Sequence, residues 1–348
     1  MGALLAVVIL IAAYSLYVFL PGVFLPGKKV VMRIGYIPIY PMAQYLIARE
    51  IGWLGELGPD VELRELSFSS GPPMMDAFAA GQIDIAYVGI VPALVAISRG
   101  IDAKVVAGNI IEPVGIMVSK EFAGVWETYR SGEAFKVFEK QLGRKFKFAT
   151  LPKGSTPDII LRVFLAKLGL DPERDVEIVA MGEDRVQAAL AAGLIDGTAI
   201  VEPLISIAEW KGWPYKTIVW SGEIIPGVPG AIVMVNGKFL RENGALVKKL
   251  IEIHLRATKL IRDDPKAAAR LLSKALGESL LPEEVALKAL QSPPKFSVDP
   301  RRLVPGTLAH IEHALKLGVL KSAPTVEQIF DFTLYDAVVK QKPEYAGL

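Results

Sequence analysis

Two short runs of small residues, Ser69-Ser70-Gly71 and Gly154-Ser155-Thr156, have the composition that can hold a polar or anionic head group, with side-chain oxygens beside bare backbone amides. Each is followed by a proline, Pro72 or Pro157, and an apolar-periodic stretch, so an ordinary helix start accounts for them equally well on local grounds. Gly89 and Ile90 close an apolar run, where a glycine serves either the approach of a ligand to the backbone or close packing. Tyr36, Tyr40 and Gln44 stand at the entry to a helix and can line a wall or fill a core. Glu202, between an apolar strand and Pro203, is a ligand contact or a local cap. As a contact it favours a solute bearing an amine or other donors and speaks against a plain inorganic anion.

Other constellations are weaker. His310 and His313 lie three apart around Glu312 on a helical pattern, but no third convergent ligand accompanies them, so they read as a solvated helix face and no metal is expected. Arg162 falls mid-helix and suits an ion pair, and Arg144-Lys145-Phe146-Lys147 reads as soluble surface. The chain has no cysteine, which excludes disulfides, thiolate metal sites, cysteine nucleophiles and a lipid-bearing cysteine. No G-x-x-x-x-G-K-[ST] segment is present, so nucleotide chemistry, if it serves this protein, resides in a partner.

The elements that must position these residues repeat one grammar of strand, loop and helix. Val30–Tyr36 reads as a buried strand that breaks at Pro38 and Pro41 before a helix over 42–51. Strands follow at 61–68, 83–88 and 104–108, with helices between them. After a charged helical linker over 126–142 the grammar returns, with strands at 147–150 and 176–180 around a helix at 158–168. Ala79-Ala80-Gly81-Gln82-Ile83-Asp84 matches Ala191-Ala192-Gly193-Leu194-Ile195-Asp196, and each is followed by an apolar strand, a proline and a helix. Alternating strands and helices imply parallel, helix-covered sheets, here as two similar α/β units in tandem. Val114–Ser119 and Ala231–Asn236 bracket the second unit as crossing strands, and amphipathic helices at 246–262, 265–276, 282–290 and 307–317 are expected to pack on the first.

At 348 residues, 52% apolar and 22% charged, the chain is long enough for two packed lobes. A net charge of +2 without basic clusters interleaved with aromatics argues against nucleic acid as a partner. Residues 3–20 carry no charge, enough helix nearly to cross a hydrocarbon core of about 30 Å, and are expected to be an N-terminal transmembrane helix or, alternatively, a signal segment. Lys28, Lys29 and Arg33 follow that span, so charge bias alone would place the body in the cytoplasm, a bias that a large folded domain often overrides.

The stretch Ser69-Ser70-Gly71-Pro72-Pro73-Met74-Met75-Asp76-Ala77-Phe78-Ala79-Ala80-Gly81-Gln82-Ile83-Asp84-Ile85-Ala86-Tyr87-Val88-Gly89 resembles solute-binding proteins of nitrate, taurine and aliphatic-sulfonate ABC importers. Lys153-Gly154-Ser155-Thr156, Gly169-Leu170-Asp171-Pro172 and Ala188–Gly193 running into Glu202-Pro203 continue the resemblance in order. It implies an α/β, two-lobed type II periplasmic-binding-protein fold in which two strands join the lobes around a cleft. On that reading 1–27 is a membrane anchor or signal segment, 28–115 the first part of lobe 1, 116–230 lobe 2, and 231–348 the return of lobe 1. The implied protein sits on the extracytoplasmic face of the cell membrane and uses no cofactor or catalytic residue. It would pass a small solute to an ABC permease with a cytoplasmic ATPase. Ligand-binding positions would be Tyr40, Gln44, Ser69, Ser70, Gly71, Gly89, Ile90, Gly154, Ser155, Thr156 and Glu202. The alternatives are an enzyme on the same fold, of pyrimidine-precursor or menaquinone-pathway type, and a sensor ectodomain.

Overall fold

The alternation of apolar strands with helices resolves into two sheets in a computed structural model that describes residues 29–348. The first unit lays down β1 (Val30–Tyr36), β2 (Val61–Ser67), β3 (Ile85–Gly89) and β4 (Ala103–Ile111). The second contributes β5 (Val114–Ser119), β6 (Phe146–Thr150), β7 (Val176–Ala180), β8 (Gly197–Val201) and β9 (Tyr215–Trp220). The chain then returns through β10 (Pro229–Asn236) and ends its strands with the short β11 (Lys295–Phe296). The first sheet has the order β11-β4-β10-β3-β1-β2 and the second β7-β6-β8-β5-β9. With the edge strand β11 set aside, the two orders are the same, and in each sheet the one antiparallel strand, β10 or β5, crosses from the other lobe.

The repeated Gly-x-Ile-Asp segments explain that likeness. Asp84 accepts from the backbone N–H of Arg33 at 2.9 Å and from its guanidinium at 2.8 and 2.6 Å, which pins β3 to β1. Asp196 does the same for β8 and β6, accepting from the Lys147 amide at 2.8 Å and from Arg144 at 2.6 and 2.8 Å. Both aspartates are at least nine-tenths buried, so each bidentate arginine satisfies a carboxylate that would be costly to leave alone. They stand at the amino ends of their strands, far along the sheet from the loops of interest.

Apolar residues cover both faces of both sheets. One core holds Met32, Leu46, Tyr87, Ile200 and Leu250, and the other holds Phe78, Val88, Ile116, Phe146 and Leu161, so each spans the two lobes. Two expectations need correction. The charged linker is not one helix but two, Lys120–Tyr129 and Glu133–Leu142, because Arg130 turns into the left-handed region at φ 44° and a Cβ on Gly132 would lie 2.5 Å from the Leu168 carbonyl. Of the C-terminal helices, Gly244–Asp263 and Pro265–Leu276 pack on Ala43–Ile51 of the first lobe, but Glu283–Leu290 also meets Leu204–Trp210, and Val304–Lys316 meets Thr156–Lys167. These last two bridge the lobes.

The expected N-terminal transmembrane helix at 1–27 lies outside the described residues. Among the described residues no helix is long and apolar enough to cross a membrane.

Candidate functional site

Strand direction places the site. β1 to β4 share one direction and β4 ends at Ile111, only Glu112 and Pro113 before β5 begins at Val114. β5 runs against β8 and β9, so its amino end lies beside the carboxyl ends of β6 to β9. The carboxyl ends of the parallel strands in both lobes therefore face the two chain crossings. That is where open α/β sheets present loops and helix starts to ligands.

At the junction lies a buried polar cluster. Tyr40 donates its hydroxyl to the Ala289 carbonyl at 2.8 Å and packs edge-on against Phe296, 5.6 Å between centroids. Its phenol is held well above its usual range, first by burial and then by the negative charge of Glu202 across the lobe junction. One turn on, Gln44 donates Nε2 to the Asn109 carbonyl at 2.7 Å, and the Asn109 amide points its own Nδ2 at the Pro41 carbonyl at 3.5 Å. Because both amide nitrogens are donating, the oxygens left over are Gln44 Oε1 and Asn109 Oδ1, each fully buried and without a partner. From the second lobe Glu202, 1% exposed, accepts from the Ser206 amide at 3.0 Å and hydroxyl at 3.1 Å. Burial raises its carboxyl above the ordinary range, and those hydrogen bonds pull the other way. Glu202 thus caps the helix Leu204–Trp210 and is at the same time a charge facing the other lobe.

The remaining positions fall on both sides of the junction. Ser69 and Ser70 are exposed at the carboxyl end of β2, Ser70 being the N-cap of Gly71–Ala79 without a side-chain capping bond. Gly71 is buried because a Cβ there would meet Pro92 at 2.5 Å. A Cβ on Gly89 would meet nothing closer than 3.6 Å and its φ is −65°, so neither packing nor backbone conformation calls for glycine there. Ile90 is a fully buried core residue. In the second lobe Gly154 has φ +85° and lies under Val319, 2.6 Å from a would-be Cβ, and its N–H goes to Asp158 at 2.8 Å. Ser155 caps the helix Thr156–Lys167 by accepting from the Asp158 amide at 3.4 Å, and Thr156 is buried beside it.

Several functional candidates were not singled out from sequence. Asn109 carried a signal, as the one polar side chain in the run 105–111 that ends β4. Glu183 opens the helix Glu183–Ala191 at the carboxyl end of β7, half-buried and without a hydrogen bond or ion pair among the described residues. Burial, with Asp184 next to it, pushes its carboxyl up to about 7. Glu112, between β4 and β5, adopts φ 58° and accepts from the Gly227 amide at 2.9 Å, tying the first crossing to the second.

The pair His310 and His313 is corrected. His310 is fully buried with neither ring nitrogen partnered, and burial lowers its pKa to about 3, so it is a core residue and not part of a solvated face. No group of three His, Cys, Asp or Glu that could hold a metal occurs among the described residues. Arg162 pairs with Asp158 at 2.9 Å and Glu173 at 2.6 Å within the second lobe.

Duplicate sheets joined by two crossings, with helix starts converging on the junction, define the two-lobed periplasmic-binding-protein fold. The chain is 30% identical over 224 residues to the nitrate import ATP-binding protein NrtC of Synechococcus elongatus, a match covering 60% of this chain and only 33% of that one. It is 27% identical over 261 residues to a binding protein of Brucella abortus, across 74% of this chain and 75% of that one. The alkanesulfonate-binding protein SsuA from Xanthomonas axonopodis bound to MOPS superposes with a TM-score of 0.69 at 21% identity, covering 87% of this chain and 99% of that one. The sequence pattern of the NMT1-like family matches residues 26–277, and the chain belongs to that family.

Proposed function

We propose that this protein is the extracytoplasmic solute-binding component of an ABC importer, a clamp that closes on a small solute and hands it to a permease served by a separate ATPase. The observation that carries the reading is the convergence of two matching sets of carboxyl-end loops on a junction that the described chain crosses at the β4–β5 and β9–β10 connections, with two C-terminal helices packed across it. Such a hinge lets the lobes separate and close as rigid bodies, and a solute that contacts both lobes stabilises the closed form by its differential affinity. Relatives named for nitrate import and for alkanesulfonate binding support a transport role over catalysis. Tyr40, Gln44, Asn109 and Glu202 would form one wall, and Ser69, Ser70, Gly71 and Gly89 would face the loop of Gly154, Ser155 and Thr156 and the start of the helix at Glu183. An uncharged segment at 3–20 would hold the protein at the membrane. Isothermal calorimetry combined with small-angle scattering tests the clamp: a bound solute must shrink the radius of gyration. Solute binding without any change in lobe separation, with Ser69 or Glu202 variants leaving affinity unaltered, would overturn it.

A further inference from the structure

Helix starts attract oxyanions because their first N–H groups have no partner within the helix. Here several of those donors are missing or already taken. Helix Gly71–Ala79 has Pro72 and Pro73 at its second and third positions, and Ile90–Ser98 has Pro92 at its third, so these places have no N–H to offer. Helix Thr156–Lys167 carries Pro157, and the amide of Gly154 in front of it is bound by the carboxylate of Asp158. Glu202 takes the Ser206 amide, and Glu112 takes that of Gly227. Helix Glu183–Ala191 opens on two acids of its own.

The charge balance agrees. At the carboxyl ends of the strands the basic residues are Lys153, which faces Glu173 at 4.0 Å, and Lys295 beside the end of β4, which pairs with Glu112 at 3.6 Å. Against them stand Glu112 and Glu202 in the loops, with Glu183, Asp184 and Glu223 in the first turns of helices. The neutral groups left over are acceptors as well, since Gln44 Oε1 and Asn109 Oδ1 are buried without a donor. A buried acceptor without a donor destabilises the fold, a cost that a solute N–H can recover.

We propose that the junction takes a small solute without net negative charge that presents N–H donors, an amine, amidine or amino-substituted heterocycle, to the carboxylate of Glu202 and the amide oxygens of Gln44 and Asn109. This rests on the clamp reading above and narrows it. An inorganic oxyanion would meet no unpaired cation there and several carboxylates, each like-charge approach costing affinity.

The test is calorimetry of the full chain against two probe sets at one ionic strength: putrescine, benzamidine and 2-aminopyridine, and nitrate, ethanesulfonate and bicarbonate. A donor probe is expected to bind while the oxyanions do not, and Glu202→Gln should weaken that probe ten-fold or more. Asn109→Leu, similar in volume and unable to accept, keeps the question answerable if the Glu202 variant misfolds, and should weaken the same probe. Binding of nitrate or ethanesulfonate with lobe closure overturns the proposed solute class and leaves the clamp standing. Silence from both sets overturns the clamp together with the inference.

Discussion

Replacing Glu183 by glutamine should stabilise the protein at neutral pH and not at acidic pH. The carboxyl opens a helix, where the dipole favours its ionised form by about 0.3–1 kcal/mol. Burial works against ionisation and wins, moving the group from 4.5 to about 7. At about 1.4 kcal/mol for each tenfold change, that displacement corresponds to roughly 3 kcal/mol as a ceiling, and because the residue remains partly open to water we take about 1–2 kcal/mol as the working figure. The sign follows from proton binding. With the folded pKa above the unfolded one, the unfolded chain ionises first as pH rises from about 4.5 to 7, so stability falls across that window and stays low above it. Glutamine cannot ionise and escapes the loss. Thermal unfolding of wild type and Glu183→Gln at pH 4 and pH 8 should therefore give equal midpoints at pH 4 and a variant higher by a few degrees at pH 8. A difference that is the same at both pH values, or a more stable wild type at pH 8, would refute the reasoning and remove Glu183 as a strained acid.

Three further outcomes are expected. Asp84→Ala and Asp196→Ala each remove a strand-pinning acceptor and leave a backbone N–H without its partner, so each should cost about 2–4 kcal/mol in urea unfolding, and an effect under about 0.5 kcal/mol would show that the repeated aspartates are surface ornaments. His254, lowered to about 4, and His310, lowered to about 3, are neutral in the fold and charge more easily when unfolded. Stability should therefore fall as pH drops below about 6.5 and level off near 3, and His310→Leu should flatten that decline without loss at pH 7; an unchanged acid limb in the variant argues against it. Glu209 and Lys288 pair across the lobes at 2.6 Å, next to Trp210 donating to Glu284. Lys288→Glu should shift the unliganded protein toward a larger radius of gyration in scattering, whereas a purely decorative surface pair would leave the profile unchanged.

Much of the framework could be read along the chain because periodicity and punctuation are local properties. The strands at Val30–Tyr36 and Val176–Ala180 and the helix Pro265–Leu276 follow from apolar spacing and from proline and glycine at their ends. The matching Gly-x-Ile-Asp segments pointed to duplicate units, and the sheet orders carry that duplication through. Tyr215–Trp220 escaped notice since its alternation is interrupted by Lys216 and Thr217, and its pairing to β5 is made at a distance.

Sequence by itself determined the elements, the repeat and the loops worth watching, since these depend on neighbours within a few residues. Only the tertiary structure decided what each polar group does, because that depends on which atoms arrive from elsewhere in the chain. Asp158 fills the amide of Gly154, Ala289 from the far C-terminal segment receives the Tyr40 hydroxyl, and Val319 covers the loop of Gly154. His310 became a buried, neutral ring for the same reason: its helix packs between lobes, and no local pattern records which face that packing hides.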